Sequence, residues 1–521
     1  MQQDKSEEFA RAKKKERDWW LYFLCLLVGI LTGLTVSFYR WILHVVGHIR
    51  EHFFKAQDLN NPLKLILVLV LFITVGLIIN FIAEKYPKIS GSGVPQVKGI
   101  LMKQLKYVKW SIEFVAKFVT GVMGIGCGLS LGREGPSVQL GSYIGHGISE
   151  IFKRNDITER YLVTCGSSAG LAGAFGAPLS GVIFSLEELH RIITSKLLIC
   201  TFMASVVSDF IGRRFFGMQT AFDIAAIYPK NINPYFHFGL IIMFAIFISV
   251  FGKIFTVTLI KAQDIFKGIK LSKYVKVSFV MVLSFVLCLV LPEVTGGGHE
   301  LAEGLARNNN QMLSFLIIIF VAKLLFTAIS YATGFAGGIF LPMLVLGAIL
   351  GKIYAMVLTN ILDLGPEYIP HYMILGMAAF FVAVVKAPLT GTILILEMTG
   401  SFEHLLALAT VAVVTYYVTS ILHLEPIYEI LYERMEKDSC EVKNDCDRVV
   451  VNIPVKHDSV LDDKLISEVH WATDILVVAI LRDHEELIPN GDTRIEEGDI
   501  VTILVPKAKV DNMKAELFKL E

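Results

Sequence analysis

Three glycine-rich signatures interrupt an otherwise apolar chain: Gly91-Ser92-Gly93-Val94-Pro95, Gly132-Arg133-Glu134-Gly135-Pro136 and Gly338-Ile339-Phe340-Leu341-Pro342. Each sets small residues and a proline at the expected start of an apolar helix. Proline suits a first helical turn, and the glycines Gly91, Gly93, Gly132, Gly135 and Gly338 let the backbone bend so that free N–H groups point outward. A helix start carries about half a positive charge along with those donors, so it is an anion site that needs no lysine. Three such starts converging at mid-membrane would hold a small anion and still release it, because no full positive charge traps it. Each motif alone fits a tight turn or a close helix crossing better than an anion site. Three in one chain, two of them related by an internal repeat, point to the anion.

Glu134 is the carboxylate of the second signature. At a helix start it is stabilised by the same donors that would bind an anion. It can occupy an anion site when the anion is absent and leave when protonated, which makes it a gate and a proton carrier in one side chain. The alternative is a structural cap or an ion pair with Arg133. Acids inside a membrane are costly and are functional by default. Glu187 and Glu188 end the apolar run Gly181–Leu186. Glu187 has a counterpart in the repeat, Glu397, and fits a shared structural role. Glu188 is matched by Met398, so it is peculiar to the first half and is the candidate inner port of a proton path.

The elements that position these residues are legible in the charge distribution. Of 96 charged residues, 11 fall in residues 1–18 and 33 in residues 433–521, which leaves 52 for residues 19–432. A soluble body of that size could not cover itself with so few. The run Trp19–Val36 is long enough to span a bilayer. Lys13, Lys14, Lys15 and Arg17 precede it and place the N-terminus in the cytoplasm by the positive-inside rule. Further apolar runs at about 63–83, 110–130, 160–188, 197–210, 236–260, 276–292, 313–332, 339–359, 371–398 and 404–422 are broken by Gly, Pro or charge. They predict tilted, short and interrupted helices. The zero net charge gives no sign of nucleic acid as a partner. No nucleophile–base set suggests an enzyme. No cofactor or metal is expected in the membrane body.

The repeat is explicit. Phe114–Lys117 recurs as Phe320–Lys323, Gly132…Pro136 as Gly338…Pro342 and Ala177-Pro178-Leu179-Ser180-Gly181 as Ala387-Pro388-Leu389-Thr390-Gly391. The halves are about 19–215 and 236–425, and an inverted pair is the commoner arrangement for broken helices that meet at the middle. The expected fold is an all-α polytopic membrane body of two inverted halves, followed by a small α+β domain. Residues 433–446 read as a charged linker. Within 447–521, strands are expected at Arg448–Val455, Ile475–Leu481 and Asp499–Val505, helices at Leu461–Val469 and Lys509–Leu520, and a turn at Pro489–Asp492.

The three signatures, in this order and spacing, resemble those of the CLC chloride channel and transporter family over residues 19–432. The resemblance implies a homodimer in the lipid bilayer with one anion pathway per subunit. It implies that the Ser92 hydroxyl, the backbone N–H groups of Ile339 and Phe340 and the Tyr428 hydroxyl hold chloride. It also implies that Glu134 is the external gate and Glu188 the inner proton glutamate. Read alone, Tyr428 is an interfacial aromatic. Acids at both glutamate positions are similar to the H⁺/Cl⁻ antiporter pattern, with a passive voltage- or ligand-gated chloride channel of the same fold as the alternative. Residues 480–505 resemble a TrkA-C (RCK-C) domain. That implies a small-ligand regulator at the tail, a cyclic dinucleotide or other nucleotide among the ligand classes. The expected location is a bacterial cell membrane, with both termini cytoplasmic.

Overall fold

The computed structural model describes residues 2–55, 62–191, 194–218, 220–222, 224–229, 232–308, 311–362, 365–440, 448–455, 461–469, 471, 475–482 and 485–506. The chain divides into two compact units, Met1–Tyr432 and Glu433–Glu521.

The first half of the larger unit contains α1 (Gln2–Lys55), α2 (Pro62–Lys85), α3 (Val94–Leu101), α4 (Trp110–Gly126), α5 (Glu134–Ile151), α6 (Asp156–Phe175), α7 (Pro178–Phe184) and α8 (Ser195–Phe216), with a wide π-turn, Ser185–His190, after α7. The second half contains α9 (Pro234–Gly268), α10 (Lys273–Val290), α11 (His299–Arg307), α12 (Leu313–Ala332), α13 (Phe340–Leu362), α14 (Ile369–Val385), α15 (Pro388–Thr399), α16 (Leu405–Ile421) and the start of α17 (Ile427–Cys440). Among the described residues, nine helices are long and apolar enough to cross a membrane. Outward faces carry exposed Leu67, Leu71, Phe202, Phe210, Leu406 and Tyr417, a surface suited to lipid and not to water. The chain is a multi-pass membrane protein. The charged residues ahead of Trp19 belong to the same helix as the first span, and α17 runs on to Cys440 through part of the stretch that reads as a linker.

Helix starts follow local chemistry. Asn155, Thr194 and Asn233 accept from the backbone N–H groups of Thr158, Leu197 and Tyr235 at 3.0, 3.2 and 3.0 Å, which satisfies donors that the first turn leaves free. The apolar runs 160–188 and 371–398 break at Gly176-Ala177-Pro178 and at Lys386-Ala387-Pro388.

The halves are two-fold-related copies, and their contacts show it. Gly132 and Gly338, equivalent in the repeat, form a reciprocal antiparallel bridge, with N–H to O distances of 2.6 and 2.7 Å. Residues paired antiparallel with their own repeat equivalents are exchanged by a local two-fold axis that passes between them, so α5 and α13 leave the bridge in opposite senses. Glu397 at the end of α15 accepts from Leu179 and Ser180 N–H at the start of α7, at 3.0 and 2.8 Å. Glu187 returns the contact to Leu389 and Thr390 N–H at 3.3 and 2.8 Å and to the Thr390 hydroxyl at 2.7 Å. Glu187 is therefore a cap for the other half. Glu187→Gln and Glu397→Gln should each cost about 1 kcal/mol, read as a lowered thermal midpoint in detergent. An unchanged midpoint in both would show that the carboxylates do not hold the halves together.

A second pair of equivalents braces the loops. Buried Lys117 donates to the carbonyls of Ile89 and Gly91, both at 2.8 Å. Its counterpart Lys323 donates to those of Val294 and Gly296, at 3.0 and 2.7 Å. Each loop ends in a left-handed glycine ahead of a short helix, Gly93 at φ +96° before α3 and Gly298 at φ +90° before α11, conformations that glycine adopts without strain.

The smaller unit contains β1 (Arg448–Pro454), β2 (Leu476–Arg482), β3 (Glu485–Leu487) and β4 (Ile500–Pro506) in an antiparallel sheet of order β1-β4-β2-β3. Alternation along β4 sends Val501, Ile503 and Val505 into a core with Ile453, Leu461, Ile480 and Ile495. The three long strands lie within a residue of where sequence places them, and the turn expected at Pro489–Asp492 closes one residue later, with Thr493 N–H donating to Asn490 O at 3.1 Å. Leu461–Val469 is not a helix. Its backbone groups pair with 491–495 instead, through Asp463 N–H to Ile495 O, Ile495 N–H to Lys464 O and Ile466 N–H to Thr493 O. Tertiary pairing outweighs a helical apolar spacing in so short a segment. The helix expected at Lys509–Leu520 lies outside the described residues.

Arg482 grips Asp499 with two nitrogens at 2.8 and 2.7 Å, and the same carboxylate accepts from Glu496 N–H at 2.9 Å. Burial pushes the Asp499 carboxyl up, but the Arg482 hydrogen bonds and charge outweigh it and hold the group below the usual carboxylate range. A depressed folded-state value means that its stabilisation is present above the unfolded value of about 3.9 and is lost as pH falls through the folded one. Asp499→Asn should cost about 2 kcal/mol at pH 7. Faster hydrogen exchange in β2 and β4 of the full-length protein is the expected result, and unaltered exchange would rule out a stabilising pair.

Candidate functional site

The three signatures share one centre. Gly91 N–H donates to Gly334 O at 3.0 Å and Gly337 N–H to Gly91 O at 3.1 Å, which ties the first signature to the loop that leads into the third. The Gly132–Gly338 bridge ties the second to the third. Gly135 packs directly on Ser92, whose backbone and side-chain oxygens occupy the space that a Cβ would need. The helices that open there are α3, α5 and α13, and their first N–H groups have no intrahelical acceptors.

Ser92 is buried just ahead of α3, and its hydroxyl has no well-aligned hydrogen-bond partner among the described residues. Glu134 is the first residue of α5 and is fully buried. Its carboxylate lies beside the N–H groups of Glu134 itself and Leu341, the starts of α5 and α13, but makes no well-aligned hydrogen bond among the described residues. Ile339 and Phe340, also buried, open α13. The Phe340 ring packs among Phe175, Phe184 and Phe381, with centroids 5.2, 6.1 and 4.7 Å away. Tyr428, second residue of α17, is buried with its ring edge-on to Phe184 at 6.4 Å. Its hydroxyl is within electrostatic reach of Ser92, Glu134 and Glu188. The structure thus gathers Ser92, Glu134, Ile339, Phe340 and Tyr428 around the junction of three helix starts, inside an aromatic wall.

Such an arrangement can hold an anion by backbone and hydroxyl dipoles, or hold the Glu134 carboxylate in its place. A buried hydroxyl and a buried carboxylate without partners are expensive unless a ligand or a moving group satisfies them.

Glu188 sits on the π-turn after α7 and is buried. Its polar neighbour is Lys98 of α3, whose ammonium is 3.4 Å from it and also contacts Glu429 of α17. Arg191 reaches Glu429 at 2.9 Å. Sequence reasoning missed Lys98, Glu429 and Arg191. The signal for Lys98 was a charge seven residues after Gly91, and Glu429 directly follows Tyr428. Tyr331 of α12 was also missed. It is buried, with its hydroxyl against the backbone of Gly91 and Ser92.

With this geometry in hand, comparison with known proteins defines the class. The profile described as voltage gated chloride channel matches residues 75–420, and that of the TrkA-C domain matches residues 450–517. The H(+)/Cl(-) exchange transporter ClcA of Vibrio vulnificus (strain YJ016) is 31% identical over 429 residues, covering 80% of this chain and 90% of the relative. The protein of the same name from Salmonella agona (strain SL483) is 30% identical over 436 residues, covering 80% and 88%. The crystal structure of a slow cyanobacterial Cl⁻/H⁺ antiporter superposes with a TM-score of 0.74 at 28% identity, over 82% of this chain and 99% of that one. A eukaryotic CLC transporter shares the fold at 20% identity, with a TM-score of 0.65 over 79% of this chain and 73% of that one. The chain belongs to the voltage gated chloride channel (CLC) family and carries a C-terminal TrkA-C domain.

Proposed function

We propose that this protein exchanges chloride for protons across a bacterial cell membrane. The observation that carries the reading is Glu134, a fully buried carboxylate without an aligned partner, placed where α5 and α13 begin and Gly135 packs on Ser92. Chloride sits between the Ser92 and Tyr428 hydroxyls and the N–H groups of Ile339 and Phe340. Glu134 competes for the same helix starts. Ionised, it closes the pathway; protonated, it swings out, admits chloride and carries its proton to the outer side. Glu188 exchanges protons with the cytoplasm. The curated relatives named as H⁺/Cl⁻ exchangers support this reading.

Both termini face the cytoplasm, a reading supported by the basic residues ahead of Trp19. Two subunits pair in the membrane, each with its own pathway, as the family resemblance implies. The TrkA-C domain binds a small regulatory ligand, a cyclic dinucleotide or another nucleotide, a reading that rests on the domain type.

The test is paired flux from purified protein in liposomes. An imposed chloride gradient should drive protons uphill. Chloride movement without protons would overturn exchange in favour of a passive channel. Candidate nucleotides added to the same liposomes test the tail.

A further inference from the structure

We propose that Lys98, Glu429 and Arg191 form a charge cluster that sets how readily Glu188 takes up a proton, with Glu429 drawing Lys98 away from Glu188. The inference rests on the exchange reading above, in which Glu188 is the inner proton port. The Lys98 ammonium is completely buried, so it must be satisfied by what lies within the protein. It has two carboxylates to choose from. It is in close contact with Glu429, and it stands 3.4 Å from Glu188, beyond the 2.7–2.9 Å or so of a charge-assisted hydrogen bond. Arg191 also gives its guanidinium to Glu429, at 2.9 Å. Among the described residues, two cations thus serve the partly exposed Glu429, while Glu188, nearly all of whose side chain is buried, receives the longer contact.

The groups facing Glu188 are few. Lys98 comes from α3, Glu429 and Tyr428 from α17, and Arg191 from its own turn. From α6, Arg160 acts on His190, whose ring bonds to Thr164 at 3.1 Å. The cluster also joins elements of the candidate anion site. Lys98 lies on the helix that Ser92 introduces, and Glu429 adjoins Tyr428. A change of charge at Glu188 is therefore felt first by the two elements that hold the inner side of the site.

Opposite effects follow from the two sides of the cluster. In Glu429→Gln, Lys98 and Arg191 lose their preferred carboxylate and turn to Glu188, which favours its ionised form. In Lys98→Met, Glu188 loses its cation and faces the charge of Glu429, which favours its protonated form. The measurement is the pH dependence of coupled proton flux by full-length protein in liposomes. The midpoint should move down by about one pH unit in Glu429→Gln and up by about one unit in Lys98→Met. The double variant should return toward wild type, and Lys98→Arg should stay near it. A purely structural role would lower flux in both single variants without splitting their midpoints. If Lys98→Met does not fold, the downward shift of Glu429→Gln against an unshifted Lys98→Arg still decides. Wild-type protein that moves no protons overturns the exchange reading and this inference together. Wild-type protein that couples, with variants whose midpoints stay put or move the same way, overturns the cluster alone.

Discussion

Glu134→Ala protein in liposomes is expected to pass chloride but to lose uphill proton movement, with coupled proton flux down by about 100-fold or more. The size follows from the site. Among the described residues, Glu134 is the carboxylate that begins a helix at the junction of the three signatures. The alanine side chain cannot reach the N–H groups of α5 and α13, so the helix starts stay open to chloride. It also has no proton to carry. Glu134→Gln separates the two jobs, since it keeps the size of a protonated glutamate without titrating. Both variants should therefore move chloride passively, and neither should pump. Persisting uphill proton flux in Glu134→Ala would remove this residue from the mechanism. Loss of both fluxes in the alanine variant would point to a structural cap.

Gly141→Val should prevent the membrane unit from folding, a cost above about 4 kcal/mol. The carbonyl oxygen of Gly166 fills the space where a Cβ on Gly141 would stand, and the carbonyl of Gly141 does the same to Gly166. These backbones meet where α5 crosses α6. The crossing recurs between Gly347 of α13 and Gly376 of α14, so it is a built feature of both halves. A valine there must push α5 off α6, and α5 carries Glu134. The expected readout is loss of the monodisperse peak on size exclusion in detergent. Gly239→Ala on α9 is the control, since nothing lies within 4 Å of its added carbon, and alanine there should be neutral or stabilising by up to about 1 kcal/mol. A Gly141→Val protein as stable as wild type would mean that the crossing is looser than its backbone contacts indicate.

Much of the architecture was legible because it depends on local chemistry. Proline and glycine mark helix starts whatever surrounds them, and all three signatures do open helices. The repeat was legible because both halves pack by the same glycines and cap by the same glutamates, Glu187 and Glu397. Strand alternation in the tail was legible because each strand buries one face. Leu461–Val469 has the apolar spacing of a helix but is not one, because its backbone partners lie some thirty residues away, near Thr493 and Ile495.

An apolar body, its breaks, its repeat and the few charges inside it are all readable from residue order. Only the tertiary structure decided what those charges face. Lys98 and Glu429 are 331 residues apart in the chain and in contact in the fold, and no local pattern encodes such a pairing. Glu187 and Glu188 are neighbours in sequence, yet one caps the opposite half and the other turns to a buried lysine. Helix starts are properties of a few consecutive residues. The partners of a buried charge are set by whichever elements the packing brings within a few ångströms, and low dielectric makes that choice decisive.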